Sequence, residues 1–169
     1  MARTRTRLLR AAVGVVAALA IGAGIAWALF GPGGLFLLRF QEGAAGFAPA
    51  YTAQNASLTV RGGRRVPIHV YVPHGGHERL VLVIHGVHHD GYDEERLVYF
   101  ARRLVQAGYA VATPELEDLK RYEITPRTAD DIEELIAWAG AHPLARESRR
   151  DPRIGVVGIS FGGGLAISA

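Results

Sequence analysis

The sequence predicts an α/β domain, a mostly parallel sheet with helices on both faces, preceded by one transmembrane helix. Three observations carry this. Short uninterrupted apolar runs, such as Leu80-Val81-Leu82-Val83-Ile84, suit strands buried on both faces. Between them lie longer stretches with apolar residues at i, i+3, i+4 and i+7, the period of an amphipathic helix. Ahead of both, residues 11–30 contain no charged residue.

That uncharged run sets the expected location. Its 20 residues make a helix of about 30 Å, the thickness of a bilayer's hydrocarbon core. Arg3, Arg5, Arg7 and Arg10 precede it, the next eight residues carry no charge, and Gly31-Pro32-Gly33-Gly34 breaks the helix. By the positive-inside rule, residues 1–10 are cytoplasmic, residues 11–30 span the cell membrane once, and the rest lies outside the cytoplasmic membrane. Ala26-Trp27-Ala28 offers the alternative of a cleaved signal and a secreted domain, although the apolar run exceeds the usual signal length of about 7–15 residues. With no cysteine in 169 residues, a lipid anchor on cysteine, a disulfide framework and a thiolate metal site are excluded.

The four arginines also distort the charge. Without residues 1–10 the chain holds 15 basic against 16 acidic residues, so its basic balance reports the N-terminus and no nucleic-acid surface. The loop cluster Arg149, Arg150 and Arg153 has no interleaved aromatics, which also argues against nucleic acid.

Residues 31–54 read as a Gly- and Ala-rich linker, and the domain is expected over 55–169. Residues 56–60 and 66–72, around the turn Arg61-Gly62-Gly63-Arg64, form a hairpin pattern. After the strand at 80–84, a helix is expected over 93–107, with Leu97, Phe100, Ala101 and Leu104 on one face and Asp93, Glu94 and Glu95 at its positive end. Tyr109 to Thr113 is the next strand, stopped by Pro114. A second helix is expected from Thr128, capped by its hydroxyl with Asp131 three residues on, its stripe being Ile132, Leu135, Ile136 and Ala139. Asp130, Asp131, Glu133 and Glu134 read as capping and solvated residues, and Glu115, Glu117 and Asp118 as a solvated loop. Residues 153–157 form the last strand.

The sharpest motif follows that strand: Gly158-Ile159-Ser160-Phe161-Gly162, at the start of a Gly/Ala-rich helix. A serine hydroxyl is a weak nucleophile that must be exposed, aimed and backed by a base. A strand-to-helix turn aims it, small flanking residues let the backbones crowd together, and the helix N-terminus presents free N–H groups to developing negative charge. The strand at 80–84 ends in His85-Gly86-Val87, a second place for such a donor.

In these motifs, and in the order hairpin, strand with His-Gly, helix, strand, helix, strand, elbow, residues 56–169 resemble the α/β-hydrolase superfamily. The elbow and Gly162-Gly163-Gly164 are similar to its dienelactone-hydrolase-like and peptidase-like serine branches. The lack of cysteine departs from dienelactone hydrolases proper, whose nucleophile is a thiol. The resemblance implies Ser160 as nucleophile, the backbone N–H groups of Phe161 and Val87 as oxyanion hole, and His85, Gly86, Gly158 and Gly162 as shaping residues. It also implies a small-molecule ester, thioester or amide substrate and no cofactor.

In that superfamily the acid and the histidine follow the nucleophile in the chain. Here nine residues follow Ser160, without Asp, Glu or His, and all seven histidines (His69, His74, His77, His85, His88, His89 and His142) lie upstream. The expectation is therefore the N-terminal part of a membrane-anchored hydrolase lacking its general base, its last strand an open sheet edge. The alternative is a non-catalytic module that acts by binding.

Other chemistries are disfavoured. His85, His88, His89 and Asp90 have the spacing H-x-x-H-H-D, which does not match the H-x-H-x-D-H of binuclear zinc hydrolases, so a polar loop at the cleft mouth is expected and no metal. No G-x-G-x-x-G follows the first strand of a βαβ unit, and no G-K-[ST] follows the triglycine.

Overall fold

The computed structural model describes residues 16–25, 27, 37, 40, 50–149 and 152–169. The chain divides into two compact units, residues 1–38 and 39–169. In the first, residues 16–25 and Trp27 are helical and exposed. Among the described residues no helix is long and apolar enough to cross a membrane. The remainder of the predicted span, the basic residues 1–10 and most of the linker lie outside the described residues.

The second unit is built on a five-stranded mixed sheet of order β1-β2-β4-β3-β5. β1 (Tyr51–Thr59) and β2 (Arg65–Pro73) form the expected antiparallel hairpin, Tyr51 opposite Pro73 and Thr59 opposite Arg65. β1 begins at Tyr51, inside the predicted linker. The hairpin closes through a single 3₁₀ turn, Arg61–Gly63, where Gly62 (φ 79°) and Gly63 (φ 76°) take the left-handed conformation that glycine adopts without penalty. β2 pairs antiparallel with β4 (Ala110–Pro114), while β3 (Leu80–Ile84) lies parallel between β4 and β5 (Gly155–Gly158). The sheet is therefore antiparallel at one side and parallel at the other, where the sequence predicts mostly parallel strands. In β5, an edge strand of the described sheet, Val156 is 37% exposed.

All five residues of β3 are buried, as a strand covered on both faces requires. One face carries the larger core: Ile68 and Val70, Leu80, Leu82 and Ile84, Ala110 and Ala112 pack against Ile132, Leu135 and Ala139 of α3 (Pro126–Ala141). By the pleat, Tyr71, Val81, Val83 and Val111 face the other way. There α1 (Glu95–Gln106) packs on β2 and β4, burying Leu97, Ala101, Leu104 and Val105. Linker residue Phe40 also lies against this helix, 6.2 Å from Phe100 and 5.1 Å beneath the Arg103 guanidinium. Helices cover both faces, as expected.

Two helix starts differ from the pattern reading. α1 begins at Glu95, after a 3₁₀ turn over Gly91–Asp93, and the Glu94 carboxylate caps it by accepting the Leu97 N–H at 2.9 Å. α3 begins at Pro126 with a capping box between Thr125 and Thr128, so Thr128 is the third helical residue and does not start the helix. Proline suits the first helical position because its missing N–H has no partner there in any case.

Of the acidic residues read as solvated, Asp130, Glu133 and Glu117 are exposed as expected, whereas Asp131, Asp118 and Glu115 are buried and Glu134 is half-buried. Asp131 is paired with Arg64, and Glu134 with Arg61, joining the hairpin turn to α3. Asp118, in the short helix α2 (Glu117–Lys120), is only 3% exposed. Its carboxylate accepts Thr125 Oγ1 at 2.8 Å, Thr128 Oγ1 at 3.1 Å and the guanidinium of Arg127. A buried carboxylate needs such donors to remain ionised. Between α3 and β5, the one-turn helix α4 (Pro143–Arg146) is tied back by its Leu144 carbonyl, 2.6 Å from His77 Nε2.

Burial alone would raise the Asp118 pKa, but the bonds from Arg127, Thr125 and Thr128 outweigh it and hold the carboxyl below its ordinary value. A depressed carboxyl stabilises the fold in full above pH of about 4 and loses that contribution as pH falls through the folded pKa. Asp118→Asn is expected to lower stability by about 2 kcal/mol at pH 7 and by much less at pH 3, as read by urea unfolding. An equal loss at both pH values would remove the charge from this account.

Candidate active site

β5 runs straight into α5 (Phe161–Ser168), and Ser160 sits at the junction with φ 54° and ψ −126°. Non-glycine residues rarely adopt positive φ, and such strain persists only where the surroundings over-determine it. Here they do. The Ile159 N–H bonds the Ile84 carbonyl at 3.0 Å, extending the β3–β5 ladder one residue past β5, while the Gly162 N–H bonds the Ile159 carbonyl at 3.0 Å and turns the chain into the helix. The reversal is tight enough that any side-chain carbon at Gly158 would overlap the backbone of Gly162 and Gly163. One at Gly162 would lie 2.5 Å from the His85 carbonyl oxygen.

The loop after β3 lies directly beside the turn. A side-chain carbon at Gly86 would be 3.1 Å from the Ser160 Cβ and 3.0 Å from the Ile159 carbonyl oxygen, so a side chain there would have to push its neighbours aside. Ser160 and Val87 line one cleft of about 320 Å³, together with His85, Gly86, His88, Gly91, Glu94, Arg96, Leu97 and Ile159. The Ser160 side chain is exposed. Among the described residues nothing hydrogen-bonds its hydroxyl, and the Phe161 and Val87 N–H groups have no acceptor. Phe161 opens α5, so its N–H has no partner within the helix. An exposed hydroxyl next to the unbonded Phe161 N–H at a helix N-terminus is placed where negative charge on a bound oxygen is favoured.

His85 is 2% exposed, with both ring nitrogens committed. Nε2 accepts the Leu116 N–H at 2.9 Å, so the proton resides on Nδ1, which donates to the Gly86 carbonyl at 2.7 Å. The ring thus ties the loop after β3 to the end of β4. Burial pushes its pKa below the ordinary value, against the raising effect of the Gly86 bond, and keeps the imidazole neutral. With both nitrogens bonded, the ring is not free to serve as a base for Ser160.

Arg96 and Glu94 were not legible as cleft residues, because no motif marks them. The Glu94 carboxylate receives Arg96 Nε at 2.6 Å in addition to the Leu97 N–H. Burial would raise its pKa, yet these bonds and the Arg96 backbone N–H lower it, so it stands in the cleft as an anion. Glu115 is 6% exposed and no part of a solvated loop. It accepts the Tyr92 N–H at 2.9 Å and forms an ion pair with Lys120 Nζ at 2.9 Å. With Glu117 it lines a separate cavity of about 510 Å³ that does not include Ser160.

Because the folded pKa of His85 lies below its unfolded value, its contribution to stability is full above pH of about 6.5 and is lost as pH falls towards the folded pKa. His85→Ala strands the buried Leu116 N–H and is expected to cost about 1–3 kcal/mol at pH 7.5. The variant's stability should also decline less than the parent's from pH 7 to 5. His69 and His142, whose pKa values burial also lowers, retain the rest of that slope. Parallel declines in urea titrations would contradict the neutral, doubly bonded ring.

No protein-family model matches the chain, and neither does any curated protein sequence. Solved structures do. A dienelactone hydrolase from Anabaena variabilis superposes with TM-score 0.56 at 24% identity, over 69% of this chain and 56% of that one. Brefeldin A esterase, described as a bacterial homologue of human hormone-sensitive lipase, gives TM-score 0.60 at 18% identity over 79% and 43%. An esterase from Pyrobaculum calidifontis gives 0.54 at 22% over 78% and 41%. The chain thus spans about half the length of the structures it matches. At these identities the likeness speaks for architecture, and with the sheet order and the strand–serine–helix junction it establishes that this chain has the α/β-hydrolase fold.

Proposed function

We propose that this chain carries the nucleophile half of a serine hydrolase acting on a carboxylic ester, thioester or amide of a small molecule. The observation that carries the reading is Ser160 held at positive φ between β5 and α5, in a cleft that Val87 also lines, with the Phe161 N–H unbonded at the helix start. In the reaction, Ser160 Oγ attacks the substrate carbonyl carbon. The carbonyl oxygen takes up the electron pair and is stabilised by the N–H groups of Phe161 and Val87, each such donor typically being worth about 10²–10³ in rate. Collapse of the intermediate expels the alcohol, thiol or amine and leaves an acyl-enzyme, which water then cleaves. That the fold neighbours include esterases and a dienelactone hydrolase supports an ester as first substrate to try.

The proton of Ser160 must pass to a base and from it to the leaving group; both nitrogens of His85 are engaged, and among the described residues nothing bonds the hydroxyl. A second reading, a hydrolase-like module that binds without turning over, rests on the same cleft with Ser160 as a contact residue. For location, the reading keeps residues 11–30 as a single membrane anchor with a cytoplasmic N-terminus and the domain on the far side, or as a signal removed on export. Its support is the uncharged run behind four arginines.

The test uses the native protein from its own membranes and a fluorophosphonate that labels activated serines. The hydrolase reading expects labelling, loss of it in Ser160→Ala, and a fall of at least about 10³ in ester hydrolysis with that variant. Absence of labelling in the parent supports the binding module. A hydrolysis rate unchanged by Ser160→Ala removes the serine mechanism.

A further inference from the structure

We propose that His88, His89 and Asp90 form a site for a borderline divalent transition-metal ion, with zinc as the reference case, at the mouth of the Ser160 cleft. Sequence spacing argued against a metal when His85 was counted in the set. The structure removes His85, whose two nitrogens are taken, and brings a donor atom from each of the other three within 4.8 Å of one another.

The separations are those of ligands around an ion. His88 Nδ1 lies 3.6 Å from Asp90 Oδ2, and His89 Nε2 lies 3.4 Å from Asp90 Oδ1. A charge-assisted N–H···O bond would draw these atoms to about 2.7–2.9 Å. Two ligands each about 2.0–2.1 Å from a tetrahedral zinc stand about 3.4 Å apart. The two imidazoles stack with centroids 4.5 Å apart and 27° between their planes, which keeps both rings beside Asp90.

The hydrogen bonding leaves His89 Nε2 open among the described residues and engages His88 Nδ1 only through a long bond. The Asp90 N–H donates to His88 Nδ1 at 3.2 Å, which marks Nδ1 as the unprotonated nitrogen, and an ion would take up that lone pair in exchange for a long bond. On the other ring, the Tyr122 hydroxyl stands 3.5 Å from His89 Nδ1, on the far side from Asp90. A polar partner on one nitrogen orients a ligating histidine and leaves the other nitrogen to the metal. Tyr122 occupies that place with φ 64°, a conformation tyrosine rarely adopts. Two imidazoles and one carboxylate suit zinc, nickel or copper and disfavour magnesium and calcium, which need more oxygen ligands. His89 and Asp90 are exposed, so the ion has an open path and a fourth position for water. His88 also lines the cleft, one residue after Val87, which places the ion beside the loop that flanks Ser160.

Isothermal titration of the full-length, tag-free protein in detergent with Zn²⁺, and separately with Ni²⁺, tests the site. The expected result is one ion per chain, not displaced by excess Mg²⁺. Affinity should fall by at least about 10-fold in His89→Ala and in Asp90→Asn, and by about 10-fold in Tyr122→Phe, which removes only the outer hydroxyl. All three side chains are on the surface, and an unchanged thermal transition in each variant verifies the fold. No saturable binding would overturn the proposal. So would binding that survives His89→Ala and Asp90→Asn, since the ion would then sit on other histidines. The readout involves no substrate, so it stands or falls separately from the hydrolase reading.

Discussion

The parallel pairing of β3 with β5 is the contact on which the site depends. Ile84 opposite Gly158 brings two chain ends out of the sheet side by side, and the Ile159 N–H to Ile84 carbonyl bond holds them at one level. From there the two chains diverge, one into His85-Gly86-Val87 and the other into Ser160 and α5. Gly158 and Gly162 are required because a single methyl at either would overlap backbone atoms, and one at Gly86 would press on the Ile159 carbonyl oxygen and the Ser160 Cβ. The strained serine is a product of this crowding. Its conformation is affordable because a buried ladder, a helix start and a neighbouring loop all impose it together.

Around that contact the polar groups act as ties. His85 connects the β3 loop to β4 through Leu116, Glu94 connects the start of α1 to the cleft, and Glu115 receives the Tyr92 N–H beneath the intervening turn. Each tie buries a group that would be unfavourable alone and gives it partners. Neutral His85 and ionised Glu94 result from the same burial acting on groups of opposite charge type. Burial disfavours the charged form of both, but only Glu94 has charge-stabilising donors strong enough to reverse the effect. The cleft therefore carries an anion at its rim and a neutral, fully engaged imidazole at its base.

Much of this was legible in the residues. The strand and helix order, the hairpin, the apolar faces of α1 and α3, and the Gly-Ile-Ser-Phe-Gly junction follow from short-range patterns: side-chain period, glycine placement and caps. Errors arose where a local pattern met a distant partner. Thr128 looks like a cap with Asp131 behind it, but Pro126 allows an earlier start, and Asp131 turns to Arg64, 67 residues away in sequence. Asp118 and Glu115 follow a strand and read as solvated, yet the fold supplies Arg127 and Lys120 to bury them. Nothing in the sequence around Arg96 marks it for the cleft.

By itself the sequence determined that this is an α/β chain with a serine at a strand-to-helix junction, because apolar periodicity and close glycines are properties of neighbouring residues. Only the tertiary structure decided the strand order β1-β2-β4-β3-β5, the mixed direction of the sheet, and the tautomer of His85. It also decided that His88, His89 and Asp90 converge while His85 does not. Those depend on which backbone groups and charges meet across long stretches of chain. A buried donor or carboxylate accepts whatever partner the packing brings within hydrogen-bonding distance, and one-dimensional spacing does not encode that distance.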